Sequence, residues 1–495
     1  MKSTLRLPGL KVRGCLRPEL RPRGSGLTLS GASIPRFKRR GLASPNGLRD
    51  QKNKFNIRRS KNEPLRVIIL GAGGRDFHNF NTFFRNRPNY QVVAFTATQI
   101  PFIANRTYPP ELSGANYPHG IPIYPEEELP RILSEDRIDQ VIFSYSDVSH
   151  EELMEKASLV LSKGQDFVLL GPEGTMIESQ LPVISVCAVR TGCGKSVITR
   201  KLASLLKKRG INVSVIRHPM AYCEFKPVSR FSKMKDVDEE TCTIEEREEF
   251  EPLVEMGITV YAGVDYEQVL RQAEKGSQVI LWDGGNNDFP FIRSDLEIVL
   301  LDALRPGHER LYYPGEVNLR RADLLIITKV NEGSEESLRK IKRNISLANT
   351  KAKVLEAPSV THLDHPERIE GRRVLVIEDG PTITHGGMPF GAGASASIKL
   401  ARELIDPRPY AVGSLKEVYE RYPHIGHVLP AMGYSEEQIK DLEETIGRSV
   451  CDVVVIATPT DLRRKIRINQ PIVRVTYDFD IDLTPFIEWL YMTTY

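Results

Sequence analysis

Beyond residue 64 the chain is a succession of short apolar runs separated by amphipathic or turn-rich stretches. Leu65–Leu70 is apolar except at Arg66 and runs into Gly71-Ala-Gly-Gly74, the pattern of a buried strand entering a tight turn. A helix is predicted next over Phe77–Arg85, and strands at Gln91–Phe95, Gln140–Tyr145 and Phe167–Leu170 flank a helical pattern over Glu151–Ser162. Strands alternating with helices predict a parallel sheet covered on both faces, here a Rossmann-like domain over 63–177. The cycle restarts at Pro182–Val189, with a helix over Ser196–Arg209 closed by Gly210 and a strand at Ile211–Ile216. Further strands are predicted at Thr259–Ala262, Gln278–Leu281, Ile298–Leu301 and Leu324–Thr328, giving a second α/β domain over 178–367. A C-terminal α/β segment, 368–495, adds strands at Val374–Ile377, Val453–Ile456 and Ile472–Val475 and helices at Ala396–Leu404, Ser414–Arg421 and Glu436–Ile446.

Charge changes this picture at one end. Residues 1–62 carry 17 Lys and Arg against two acids, +15, so a net +4 leaves −11 for the rest. That stretch lacks hydrophobic periodicity and reads as a disordered basic tail. A plain extension, an unused upstream start and an Arg-rich transit peptide for organelle import all remain open, and no apolar core of a secretory signal is present. No apolar run approaches the ~18 residues of a membrane span, and six scattered cysteines form no CxxC pair. A cytoplasmic protein binding neither nucleic acid nor membrane is expected.

The second cycle carries the chemistry. Between strand and helix stands Arg190-Thr-Gly-Cys-Gly-Lys195-Ser196, a phosphate loop with Val189 where the common GxxxxGK[ST] pattern has its first glycine. Gly192 and Gly194 let backbone N–H groups converge on phosphates, with Thr191 and Cys193 completing the cradle. Lys195 is placed to bridge the β and γ phosphates and the Ser196 hydroxyl to ligate Mg²⁺. Arg190 is expected to reach back over the phosphates as a second cation. The acid that completes such a site, holding Mg²⁺ from the end of another buried strand, is Asp283, which closes the run from Gln278 and precedes Gly284-Gly285. Asn286, Asn287 and Asp288 are candidates for positioning water or substrate, or are ordinary turn residues. The fold class is therefore α/β, a Rossmann-like parallel sheet followed by a doubly wound P-loop NTPase domain with a C-terminal α/β extension.

Other residues are expected near the same strand ends. Arg217 and His218 follow the strand after the phosphate-loop helix, and Arg305 and His308 form a second cationic cluster suited to a small phosphorylated substrate or simply to a solvated loop. Thr328-Lys329-Val-Asn331 occupies the place of a guanine-reading Asn-Lys-x-Asp, with Lys329 kept and a carboxylate missing at Asn331; these two are assigned to the nucleotide, and ATP is favoured over GTP. Gly380–Gly393 is a glycine-rich loop, read as an anion cradle, a lid or a connector. The acids between Asp236 and Glu255 read mainly as a solvated helix face, with a lid over the nucleotide as the alternative. Gly71–Asp76 is a partial dinucleotide fingerprint, with Asp76 at the third glycine position, beside a polar cluster of Arg75, His78 and Asn79. The pairs His362/His365 and His424/His427 have metal-like spacing and lack further ligands.

The loop's short form resembles the P-loop branch of nitrogenase iron protein, dethiobiotin synthetase and the urease and hydrogenase maturation GTPases. With Arg75–Asn81, Ala94–Pro101 and Trp282–Pro290, it also resembles prokaryotic proteins labelled predicted GTPases or cyclic 2,3-diphosphoglycerate synthetases, over about residues 64–480. That resemblance implies ATP-driven closure of an intramolecular phosphoanhydride. The alternative is a switch or assembly GTPase acting on a protein partner. A homodimer is compatible with either.

Overall fold

Seven strands open the described chain, the longer ones built from apolar runs: β1 (Leu65–Leu70), β2 (Tyr90–Ala97), β3 (Thr107–Tyr108), β4 (Ile121–Pro125), β5 (Gln140–Phe143), β6 (Val148–Ser149) and β7 (Asp166–Leu169). All but β6 join one sheet in the order β3-β4-β2-β1-β5-β7, parallel except at β3. This computed structural model describes residues 63–98, 103–218, 224–240, 243–285, 288–384 and 386–488, which belong to one compact unit spanning 62–495. The basic tail expected over 1–62 lies outside the described residues, as do Asn286, Asn287 and His385.

The second sheet holds β8 (Val183–Ala188), β9 (Val213–Arg217), β10 (Ser229–Phe231), β11 (Thr259–Ala262), β12 (Val279–Asp283), β13 (Leu296–Asp302), β15 (Leu324–Thr328) and β16 (Lys353–Ala357), in the order β10-β11-β9-β12-β8-β13-β15-β16. Every residue of β8, β9, β12, β13 and β15 is buried, as a parallel sheet covered on both faces requires. The helix Lys195–Lys208 lies across it, burying Ile198, Leu202 and Leu206, each worth about 2 kcal/mol in removed apolar surface. It ends where Gly210, at φ +74°, lets Ile211 N–H bond back to Leu206. A short ladder between β6 and β14 (Tyr312–Tyr313) ties the first sheet to the second.

The third sheet contains β17 (Ser359–Leu363), β18 (Arg373–Asp379), β19 (Glu403–Leu404), β20 (Leu429–Ala431), β21 (Val453–Ala457) and β22 (Ile472–Phe479), ordered β17-β22-β21-β18-β19 with β20 also on β18. It begins at Ser359 and not near 368, because β17 pairs antiparallel with β22. Two predicted helices differ from the structure. Arg75–Asn79 is α-helical and widens into a π turn at Phe80–Phe84. The helix expected at Ala396–Leu404 lies at Ala392–Ser397, because Glu403–Leu404 leave it to pair with Arg373–Val374. No helix among the described residues is long and apolar enough to cross a membrane.

Candidate functional site

Three donors pull the phosphate loop's carbonyls outward. Arg305 Nη2 donates to Thr191 O at 2.7 Å, Lys329 Nζ to Gly192 O at 2.9 Å and Thr328 Oγ1 to Cys193 O at 3.0 Å. In a planar trans peptide the C=O and the following N–H point opposite ways, so the amides of Gly192, Cys193 and Gly194 face away from these donors. Among the described residues none of these three amides forms a hydrogen bond. The glycines are required twice over. Gly192 and Gly194 have φ of +80° and +98°, and a Cβ on either would meet Thr382 or the Phe479 ring, both from the third sheet's strand ends.

Lys195 opens the helix, and burial lowers its ammonium below the ordinary value. Ser196 follows it on the wall of a cleft of about 1640 Å³. Asp283 ends β12, next to β8 in the sheet, and is fully buried. Its Oδ2 accepts from Arg217 Nη1 at 2.5 Å, while Oδ1 has no hydrogen-bond partner among the described residues. A buried carboxylate oxygen left open at the end of the strand paired with β8, close enough to Lys195 to act on its charge, fits Mg²⁺ chemistry. Arg217 is held between Asp283 and Glu249, and burial lowers its guanidinium from the ordinary value. His218 lies 3.2 Å from Asp288. Thus Lys195, Ser196, Asp283, Arg217 and His218 all line or adjoin one cleft, as the strand-end reasoning expects.

Two expectations need correcting. Arg190 does not reach over the loop: its Nε donates to Asp147 at 2.7 Å, Nη1 meets His308 Nδ1 at 2.8 Å, and its face covers Tyr312. The carboxylate of Asp147, on the first sheet's side, draws it away. Asn331 is not held open for a base: its Nδ2 donates to Ser359 O and its Oδ1 accepts from Ser359 N, clamping the β16–β17 turn. Lys329 serves the loop from behind, with Asp302 as counter-ion at 2.8 Å.

The remaining motifs also find places. Arg305 donates to Asp302, Thr191 O and Gly386 O, joining the phosphate loop to the glycine-rich loop of the third sheet. The acidic stretch is not simply a solvated face. Arg247 and Glu251 are buried as a pair, Glu251 accepts from Thr460 Oγ1, and Glu248 and Glu249 line the cleft. The first sheet's glycine loop is closed: Asp76 Oδ1 accepts from the amides of Gly73, Gly74 and Phe77 at 2.7–3.0 Å. Arg75 and His78 pack into the seam with the second sheet, on Phe289 O and Thr175 O, and burial holds the His78 imidazole well below its usual pKa. The histidine pairs belong to no metal-capable cluster among the described residues.

Sequence reasoning missed Asp147, Asp302, Glu378, Thr382 and Phe479. Asp302 carried a usable signal, an apolar run ending in an acid, just as at Asp283. Asp147 had none, since its backbone at φ +58° shows only in three dimensions.

Over residues 256–357 the chain matches the family described as cyclic 2,3-diphosphoglycerate synthetase, P-loop domain. It is 57% identical over 418 residues to arginine synthetase ArcE of Thermococcus kodakarensis, covering 84% of this chain and 93% of that protein. Among solved structures it is similar to LpxK from Aquifex aeolicus in complex with ATP, at 15% identity and a TM-score of 0.37, over 69% of this chain and 95% of that one. A second is cobyrinic acid a,c-diamide synthase from Mycobacterium smegmatis with a bound ATP analogue and magnesium, at 16% identity, TM-score 0.18, 36% of this chain and 72% of that one.

Proposed function

This chain belongs to the family of ATP-binding P-loop synthetases related to cyclic 2,3-diphosphoglycerate synthetase, and from that premise we propose that it builds the guanidino group of arginine from a ureido precursor, ammonia and ATP. The observation that carries the reading is the nearly full-length likeness to a protein named for arginine. The cleft supports it. Acids stand beside the cations in its wall, with Glu249, Asp379 and Glu417 facing the same space as Lys195, Arg217 and Arg421. A zwitterionic acceptor suits mixed walls, whereas a bisphosphorylated acceptor beside a triphosphate calls for a surplus of cations.

The chemistry balances in two steps. The γ-phosphoryl group passes to the ureido oxygen, so one P–O bond to ADP breaks and one to the acceptor forms. Ammonia then attacks the carbon, the C–N bond forms, phosphate departs with the oxygen and a proton is released. The amides of Gly192, Cys193 and Gly194 hold the phosphates, and Lys195 neutralises charge developing between β and γ. Ser196 and Asp283 would hold Mg²⁺, which supplies further neutralisation of the phosphate oxygens. ATP is the nucleotide of this reading, because no carboxylate stands at Asn331 to read guanine. A cytoplasmic setting fits the free thiols of Cys187, Cys193 and Cys451.

A second reading, ring closure of 2,3-bisphosphoglycerate, is favoured by the match at 256–357 and by Arg421 and Arg474 in the cleft. One assay separates the two. Purified protein with ATP, Mg²⁺, citrulline and ammonium is expected to yield arginine, ADP and phosphate in equal amounts. No arginine, together with ATP turnover stimulated by 2,3-bisphosphoglycerate, would reject the first reading in favour of the second.

A further inference from the structure

The cleft is larger than its nucleotide end needs. Its volume of about 1640 Å³ exceeds the range of roughly 300–1,000 Å³ usual for one small ligand. The phosphate loop lines one part of it, and the carboxyl ends of β18 and β21 line another.

The topology singles out that second part. From β18 the chain places β19 and β20 along one edge of that strand, then crosses to its other edge to lay down β21 and β22. The gap between β18 and β21 is therefore a point where the strand order reverses, and open α/β sheets take ligands outside the carboxyl ends of their strands at such points. Asp379 closes β18 there, and Thr458-Pro459 follows β21, all on the cleft wall. The hydrogen bonds Asp379 makes, from Thr382 N at 3.1 Å and from Thr382 Oγ1, both use Oδ2.

The same point touches the phosphate loop. A Cβ at Gly192 would stand 3.3 Å from Thr382 Cγ2, and Arg305 spans from Thr191 O to Gly386 O. Toward the rim the helix Ser414–Arg421 turns Ser414, Glu417 and Arg421 to the cleft, spaced as one helix face. Glu417 and Arg421 have opposite charge and i,i+4 spacing, yet neither is in a salt bridge among the described residues. Glu378 sits behind Asp379, buried, accepting from the amides of Gly391 and Ala394 and fixing the glycine-rich loop that walls the crevice.

Resting on the arginine reading, we propose that this crevice is the acceptor site. Its rim reads the zwitterionic head of an α-amino acid, the ammonium at Glu417 and the carboxylate at Arg421. Asp379 stands at the reacting end and takes the proton that ammonia loses as the C–N bond forms. The nucleotide and the amino acid then meet between Lys195 and Asp379.

Asp379→Asn and Arg421→Gln test this in the full chain, because Asn keeps the helix cap and Arg421 lies at the rim. Asp379→Asn is expected to lower kcat about 100-fold with the citrulline KM unchanged. Arg421→Gln is expected to raise the citrulline KM about tenfold or more with kcat unchanged. ADP affinity, measured by calorimetry, should stay within about twofold in both, since neither residue is assigned to the phosphates. If unaltered protein binds arginine and turns over citrulline while both variants match it in kcat and KM, the site is wrong and the arginine reading survives. If unaltered protein neither binds arginine nor turns over citrulline, both fall together.

Discussion

Gly71–Asp76 and Gly192–Ser196 begin alike and end differently. Each follows a strand that is buried as it approaches the turn, each has two glycines at positive φ, and each feeds a helix. In the first, Asp76 Oδ1 takes the amides of Gly73, Gly74 and Phe77. In the second, the residue after the last glycine is Lys195, and Arg305, Lys329 and Thr328 hold the carbonyls from behind. A glycine-rich turn between strand and helix makes an anion cradle by geometry alone. Whether a ligand enters depends on whether the chain supplies its own anion. In the third sheet a carboxyl oxygen, whether charged or neutral, fills the same place, Glu378 Oε1 accepting from the amides of Gly391 and Ala394.

The sharpest way to break this contrast is to remove the cation of the open loop. Lys195→Ala should cut ATP turnover by at least about 10³-fold in single-turnover assays with the fold intact, and an unchanged rate would overturn the site. Next comes Asp283→Asn, expected to lower turnover by about 10²-fold and raise the Mg²⁺ concentration needed for half-maximal rate. Arg305→Ala frees Thr191 O and should weaken ATP binding by about tenfold, read by equilibrium titration.

The closed loops should answer in stability and not in nucleotide binding. Asp76→Ala leaves three buried amides without their acceptor and should cost about 1–3 kcal/mol for each that stays unpaired in denaturant unfolding, with ATP affinity unchanged. Burial pushes the Glu378 carboxyl up to about 7, against an ordinary 4.5. A raised folded pKa means that its contribution is fully present below pH 4.5 and lost as pH rises through 7, by about 3 kcal/mol. Glu378→Gln, a mimic of the protonated form, should therefore match the parent at pH 5 and melt higher at pH 8. An equal melting temperature at both pH values would contradict this.

Much of the frame was legible in the sequence. The inner strands of the second sheet are largely continuous apolar runs because both faces are covered, and β11 and β15 fall where the pattern predicted them. Lys195 and Asp283 could be paired from spacing and strand ends alone. What stayed hidden was set by partners far away in the chain. Arg190 turns to Asp147, 43 residues earlier, and Asn331 to Ser359, 28 residues later, and neither local pattern contains its partner. Strands β19 and β20 carry too few residues for periodicity, β17 is largely exposed and shows no apolar run, and all three exist through pairing with β22 or β18. The acidic run misled because Arg247 lets Glu251 be buried, a compensation invisible to a charge count.

On the arginine reading proposed above, the open loop delivers a phosphoryl group to a ureido oxygen in the shared cleft. Citrulline labelled with ¹⁸O at that oxygen, incubated with the protein, ATP, Mg²⁺ and ammonium, tests it most directly by the isotope shift in the phosphorus NMR signal of inorganic phosphate. Each phosphate released is expected to carry one ¹⁸O, with an equal yield of arginine. Unlabelled phosphate formed without arginine would contradict it.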